Sequence, residues 1–261
     1  IKIIIFGDSK GSKAAAAKFN AKYVSEVKCS PRGQPYLSDL FYKAGKIAKH
    51  PILTFINGYI ILPDNFLTVI QNIEKGFNKF LIVGHRWDMD VNDSINFANT
   101  TERKRFWCNA KKKSEKHACT GIDYFVFRKK LFNKFPNFAI GRPGHDNWIL
   151  WNARRHFIPL IDISNEVMAV HQNHYHLLEQ FHDLDSISNK KLCGENTLNL
   201  LDTNYHLVNG KIVKKRSREF INRNLGKLPK IFPEFSFLLI LYKKIYRRLI
   251  NNYFIKTKKV Y

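Results

Sequence analysis

Short apolar runs alternate along the chain with segments of helical spacing. Apolar runs of strand length occupy residues 1–6, 51–56, 80–83, 124–127 and 157–161. Between them, residues 12–19, 37–48, 64–77 and 146–156 carry apolar side chains at the spacing of an amphipathic helix. This alternation is typical of βαβ units, and it predicts an α/β fold with a mixed, mainly parallel sheet flanked by helices.

Two regions depart from this alternation. Residues 92–120 are mostly polar and basic, with Lys111, Lys112 and Lys113 in succession, and we expect a long excursion or flexible loop there. Residues 238–254, if helical, gather basic side chains on one face and apolar side chains on the other, which predicts a C-terminal amphipathic helix. The expected organisation is a main domain over 1–210 and a basic helical appendage over 211–261.

Composition and charge narrow the classes of function. The chain has 261 residues, of which 44% are hydrophobic, enough for a full core. Its net charge of +23 attracts nucleic acid, anionic lipid headgroups or phosphate-bearing substrates. The codon bias of an AT-rich genome is an alternative explanation for the abundant lysine. The helix expected over 238–254 either lies on an anionic membrane surface or packs on the domain with its basic face in water. Nucleic-acid binding is the less favoured alternative, because no nucleic-acid motif is present.

Cysteine usage and hydropathy bear on location. The four cysteines are scattered and form no C-x-x-C pair, which favours reduced thiols in the cytoplasm over a zinc knuckle or a disulfide framework. No apolar stretch approaches the roughly 18 residues of a membrane span. We therefore expect a cytoplasmic protein, either soluble or peripheral at the inner face of a membrane.

Polar residues stand next to the predicted strands, where ligands bind in open α/β sheets. The candidates from these positions are Asn57, Gly58, Tyr59, Arg86, Asp88, Asp90, Gly121, Asp123, Arg142, Asp146 and His171. Each has a structural alternative. Asn-Gly is a common turn, Asp at a helix start is a common N-cap, and Arg is more often structural than a phosphate ligand. The acids of the segment 88–90 are either loop-stabilising carboxylates or a metal-binding pair.

The order of five motifs resembles a known superfamily. These motifs are a strand, turn and P-D-x-F, then R-W-D-x-D, G-I-D-Y-F-x-F, F-A-I-G-R-x-x-x-D-N-W and H-Q-N-H. In this order they resemble GT-A-like glycosyltransferases of the nucleotide-diphospho-sugar transferase superfamily, including bacterial and viral family 2-like proteins. The resemblance covers about residues 1–210. It implies a GT-A-like (Rossmann-like) fold and transfer of a sugar from a nucleotide-diphosphate donor to a glycan or lipid-linked acceptor.

The resemblance also implies roles for single residues. Asn57 and Tyr59 fall on the metal-binding D-x-D turn, Gly121 on the glycine-bearing loop, Asp146 on the catalytic base, and His171 on a late metal ligand. The implied metal is Mn²⁺ or Mg²⁺, which neutralises the departing diphosphate. Related sequences carry an acid where this chain has Tyr59, and a phenol is a poor ligand for a hard cation near neutral pH. A catalytically impaired nucleotide-sugar-binding homologue is therefore the second expectation.

The start of the chain carries one more expectation from the resemblance. GT-A-like domains usually begin with a strand whose following loop holds the nucleotide base, and residues 1–6 match the second strand instead. We expect the opening strand and helix of the fold to be lacking. Residues 1–6 should then be displaced, poorly paired, or paired directly with 51–56, with the base pocket open on that side.

Overall fold

A computed structural model describes residues 1–132, 134–174, 182–237, 241 and 244–245, and within them the fold is α/β. The strands are β1 Ile4–Phe6, β2 Lys22–Val24, β3 Ile52–Ile56, β4 Ile60–Ile61, β5 Leu81–Val83, β6 Arg86–Met89, β7 Glu115–Lys116, β8 Tyr124–Arg128, β9 Leu160–Asp162, β10 Ala169–Gln172, β11 Tyr205–Val208 and β12 Lys211–Lys214. The helices are α1 Ser12–Lys18, α2 Leu37–Ile47, α3 Phe66–Glu74, α4 Thr100–Lys113, α5 His145–Arg155, α6 Leu184–Cys193 and α7 Arg218–Ile231.

The main sheet has six strands in the order β12-β11-β9-β5-β8-β3. Strands β3, β5, β9 and β11 run in one direction, and β8 and β12 run against them. The sheet is therefore mixed as expected. The expectation of a mainly parallel sheet is not confirmed, because β8 is inserted between β3 and β5 and makes both of its ladders antiparallel.

Both faces of the main sheet are covered. Alternate side chains of β5 and β8 pack against α2 and α5 on one face, and the intervening ones pack against α3 on the other. Val126 and Phe127 are neighbours in sequence, yet they belong to these two separate cores. Burial on both faces explains why the strands read as continuous apolar runs and not as an alternating pattern.

A second sheet of four strands, β4-β10-β6-β7, lies beyond the end of the main one. The chain enters it from β5 through Gly84 and His85, and β6 pairs in parallel with β10. Its Met89 and Val170 pack with Phe106 and Ala110 of α4 in a third, smaller core. This sheet carries several of the candidate site residues.

The expectation of a long loop over residues 92–120 was wrong. Residues Thr100–Lys113 form α4, whose N-cap Asn99 accepts hydrogen bonds from the backbone N–H groups of Thr101 and Glu102. Few apolar side chains are needed because the helix buries only Phe106 and Ala110. Its many lysines lie in water and hide the helical spacing from an analysis based on hydrophobicity.

Both ends of the chain carried expectations. Strand β1 pairs with β2 in a separate two-stranded sheet, so residues 4–6 are displaced from the main sheet, which was one of the expected arrangements. Among the described strands, none pairs with the outer edge of β3. The expected domain boundary at residue 210 lies within the hairpin of β11 and β12. Except for 241, 244 and 245, the amphipathic helix expected over 238–254 lies outside the described residues.

Candidate functional site

The candidate site lies at the edge of the main sheet where β3, β5 and β9 end. Because β8 is antiparallel to its neighbours, its first residues stand at this same edge. Asp123 precedes β8 and Asn57 follows β3, and the two meet there. The backbone N–H of Asn57 donates to the carbonyl of Asp123 at 3.0 Å, and its side-chain amide donates to Asp123 Oδ1 at 2.5 Å. The turn after β3 therefore fixes one oxygen of this carboxylate.

Arg86 connects the two sheets at this edge. Its Nη1 donates to Asp123 Oδ2 at 2.9 Å, and its Nε forms an ion pair with Asp88 Oδ1 at 3.0 Å. Arg86 and Asp88 lie two residues apart on β6, so their side chains share one face of the second sheet. The guanidinium, 17% exposed, thus stands between two carboxylates.

His117 belongs to the site, although the sequence did not single it out. Its Nδ1 lies 2.5 Å from Asp88 Oδ2, and Nη2 of Arg86 lies 3.3 Å from the same nitrogen. Gly121 makes room for this ring, because a Cβ there would lie 2.2 Å from Cδ2 of His117. The need for glycine at position 121 therefore has a local steric cause.

His171 and Tyr59 form the other side of the site. His171 lies opposite Asp88 in the β6–β10 ladder, with its Nδ1 3.2 Å from Asp88 Oδ1. Burial, together with the charge of Arg86, lowers the pKa of His171 and favours the neutral ring. The Tyr59 ring is half exposed and stacks on His174, with 4.0 Å between ring centroids, while His171 is 6.3 Å away.

Asp146 is brought to the same site from α5. It is the second residue of this helix, and Gly144 occupies the N-cap, so the N-cap alternative for Asp146 is not realised. Its Oδ1 is buried and has no hydrogen-bond partner within the described chain. Burial raises the pKa of Asp146, and the nearby charge of Asp123 adds to this rise, while His145 and the backbone N–H of Asn147 oppose it.

Three candidates stand apart from this cluster. Arg142 is paired with Asp183, with 2.7 Å from both Nε and Nη2 to one carboxylate oxygen, an arrangement that matches the structural alternative. Asp90 is exposed and accepts a hydrogen bond from the side chain of Asn173 at 2.8 Å. Gly58 is exposed within the turn after β3.

The site's ligand set fits the expected divalent cation poorly. A hard cation takes about six ligands, chiefly oxygens. Of the four oxygens of Asp88 and Asp123, three are hydrogen-bonded to Asn57, Arg86 or His117. The fourth, Asp88 Oδ1, makes no hydrogen bond, as is also true of Nδ1 of His171. Within the described residues, no group of three His, Cys, Asp or Glu side chains is placed to hold a metal ion.

Comparison with known proteins adds no family assignment. No protein-family model matches this chain, and no curated protein matches it. In the part of the chain that the structure describes, no helix is long and apolar enough to cross a membrane.

Proposed function

We propose that this protein is a glycosyltransferase-like protein that binds a nucleotide-diphosphate sugar and transfers the sugar to a glycan or lipid-linked acceptor. The proposal rests on the position of Asp146. Its carboxyl group is near enough to Asp123 for the charge of Asp123 to raise its pKa, and its Oδ1 is buried without a hydrogen bond. An unpaired buried carboxyl oxygen costs folding free energy, and a function at this position explains why it is kept.

In this proposal Asp146 is the general base. Glycosyl transfer with inversion requires a base within hydrogen-bond reach of the acceptor hydroxyl. Burial raises the pKa of Asp146, which makes its carboxylate a stronger base than that of an exposed aspartate. Asn57, Arg86 and Asp123 form the wall of the donor site, and Gly121 allows His117 to close it.

One observation favours a second candidate, the impaired homologue that binds the nucleotide sugar without efficient transfer. The Tyr59 ring stands beside His171 and His174, at the turn where the resemblance implies an acid. Under this candidate the donor site is kept while turnover is low. A cytoplasmic location with peripheral contact to an anionic membrane is part of either candidate, and it depends on residues 238–254.

Thermal shift with a panel of nucleotide sugars tests the proposal, since a ligand that binds the native state raises the melting temperature. Donor turnover is then measured in wild type, in Asp146→Asn, and in Asp93→Asn as an exposed control. We expect Asp146→Asn to bind the donor normally and to lose turnover by about 10²-fold or more, the usual contribution of a general base. Normal turnover in Asp146→Asn would refute the assigned base.

Two further outcomes distinguish the candidates. Donor binding without turnover in wild type favours the impaired homologue. Binding to random DNA that weakens with salt, with no response to any nucleotide sugar, would reject both and favour the role suggested by the +23 charge.

A further inference from the structure

The site carries its own cation. Arg86 contacts Asp123 through Nη1 at 2.9 Å and Asp88 through Nε at 3.0 Å, with Nη2 3.3 Å from the His117 ring. All three nitrogens of the guanidinium therefore face partners in the site. A planar guanidinium holds two carboxylates in fixed positions in a way that a lysine does not.

A divalent cation would compete with this arrangement. Besides Oδ1 of Asp146, the acceptor atoms of the site without a hydrogen bond are Asp88 Oδ1 and Nδ1 of His171, and these two lie 3.2 Å apart. A metal bound by this pair would lie close to the Arg86 guanidinium, because Nε is only 3.0 Å from the same oxygen. Positive charges at such separations repel each other strongly in a partly buried site.

The turn after β3 does not supply the missing ligands. The Asn57 side-chain amide nitrogen is directed at Asp123 Oδ1, and an N–H group is no metal ligand. Tyr59 contributes a half-exposed phenol stacked on His174. The carboxylate oxygens that a hard cation requires are thus either lacking at this turn or already neutralised by Arg86.

We propose that Arg86 takes the place of the divalent cation in this site, and that ligand binding there is independent of metal. Arg86 acts as a positioning residue. Its charge neutralises Asp88 and Asp123 and holds them in register across the two sheets. Two experiments test this proposal. The one that measures nucleotide binding depends on the proposed function, whereas the one that measures metal binding does not.

The metal-binding experiment measures binding of Mn²⁺ alone by electron paramagnetic resonance and calorimetry. We expect wild type to bind no Mn²⁺ at micromolar concentrations. Arg86→Met keeps the apolar stem and frees Asp88, Asp123 and the two histidines, so it should bind Mn²⁺ at least tenfold more tightly than wild type. Arg86→Lys, which keeps the charge, should stay like wild type, and Arg103→Met, which removes a surface arginine paired with Asp64, is the matched control.

Several results would overturn the proposal. The clearest is a wild-type Mn²⁺ site of micromolar affinity that is lost in Asp88→Asn. Equal Mn²⁺ affinity of wild type and a folded Arg86→Met, checked by circular dichroism, would also reject it. If Arg86→Met does not fold, wild type and Arg86→Lys still decide the question, because micromolar Mn²⁺ binding by either one contradicts the proposal.

The nucleotide-binding experiment uses UDP and GDP as probes, titrated into wild type with EDTA and again with Mn²⁺. Affinities equal within about twofold support a metal-independent site, and a tenfold loss in EDTA overturns it. Absence of nucleotide binding under both conditions would refute the proposed function instead. The Mn²⁺ titration would then still decide the role of Arg86.

Discussion

This protein has two clusters in which basic side chains pair with aspartates, and the two clusters differ in how completely their polar atoms are hydrogen-bonded. Asp202 is fully buried, and its two oxygens accept hydrogen bonds from Arg223, from Lys227 and from the backbone N–H of Asn199. In the cluster of Arg86, Asp88, His117, Asp123, Asp146 and His171, Oδ1 of Asp146 makes no hydrogen bond. Arg86 Nε and Nδ1 of His171 lie within ion-pair distance of Asp88 Oδ1, but none of these three atoms makes a hydrogen bond. The first cluster is satisfied by the chain itself, and the second is not.

This difference separates a structural cluster from the proposed ligand site. Asp202 ends a short 3-10 turn, Leu200–Asp202, and its side chain accepts hydrogen bonds from two residues of α7. These hydrogen bonds hold α7 on the domain. Unsatisfied buried polar groups cost free energy and are rare in folded proteins. Their concentration at the carboxyl edge of the sheet indicates a surface prepared for a ligand.

The largest effect on stability should come from the satisfied cluster. Asp202→Asn leaves Arg223 and Lys227 without their counter-charge, while its amide oxygen still accepts the hydrogen bond from the backbone N–H of Asn199. Removing one partner of a buried ion pair costs about 3–5 kcal/mol, and the partial exposure of both cations places the expected loss near 3 kcal/mol. Urea denaturation measures it. Asp88→Asn is the matched variant in the other cluster, and a loss as large as that of Asp202→Asn would contradict the distinction.

The stabilisation that Asp202 provides should depend on pH. Burial raises the pKa of Asp202, but the hydrogen bonds from Arg223 and Lys227 outweigh it, so the folded-state pKa is lowered. Between the lowered folded-state pKa and the unfolded pKa of Asp202, the unfolded chain therefore binds more protons than the folded one. The stabilisation is present above about pH 4 and is lost as the pH falls through the lowered folded-state pKa. The difference between wild type and Asp202→Asn should shrink in acid.

The next effect concerns the support of the site cluster. Gly121→Ala places a methyl group 2.2 Å from Cδ2 of His117, so the ring has to move away from Asp88. Overpacking of this kind costs about 1–3 kcal/mol, and we expect about 1 kcal/mol because the ring is partly exposed and free to shift. The main effect should be a loss of nucleotide affinity, with only the small loss of unfolding free energy given above. Gly45→Ala, in open space on α2, is the control, and equal nucleotide affinity in both variants would show that His117 is not part of the ligand site.

Much of the fold was predictable because the spacing of apolar residues along the chain indicates which side of a helix is buried. The helices around Leu37–Ile47 and Phe66–Glu74 were predicted close to their observed bounds, since each buries a clear apolar stripe. The strand expected from residue 157 begins instead at Leu160, because Phe157 takes a positive φ of 56° and is exposed. The helix α4 was missed, although Asn99 followed by Glu102 three residues later is a start signal that does not depend on hydrophobicity.

The site was predictable only in part. Asn57 follows β3 and Asp123 precedes β8, where the rule of the carboxyl edge applies. Asp88 and His171 were also singled out, but they lie within β6 and β10 of the second sheet. His117 enters only through the pairing of β6 with β7, which places Asp88 opposite Glu115, and no local pattern reveals a partner nearly thirty residues away. The pairing of Arg142 with Asp183 has the same cause, since it joins segments 41 residues apart.

Asp146→Asn should raise the free energy of unfolding, whereas Asp202→Asn should lower it. Burial and Asp123 raise the folded-state pKa of Asp146, so between the unfolded pKa and this raised value the native state binds more protons and stability falls as pH rises. The asparagine variant avoids this cost, and we expect it to be more stable at pH 7 by about 0.5–2 kcal/mol, as is common where activity opposes stability. The gain should vanish below about pH 4. A destabilised variant at pH 7 would place Asp146 with Asp202, as a structural carboxylate.

The smallest effect on stability, and the sharpest test of the turn after β3, is expected for Tyr59→Asp. The side chain is 51% exposed and its main contact is the ring of His174, so the free energy of unfolding should change by no more than about 0.5 kcal/mol. Metal binding should change more, because the substitution places a carboxylate beside His171 and His174. We expect Mn²⁺ affinity, and Mn²⁺-dependent donor binding with it, to rise by at least tenfold. Tyr59→Asn, which has a similar size and no charge, is the matched control, and a gain in both variants would mean that removal of the ring, not the new carboxylate, admits the ion. Unchanged Mn²⁺ affinity in Tyr59→Asp would show that the turn is not where metal binding was lost.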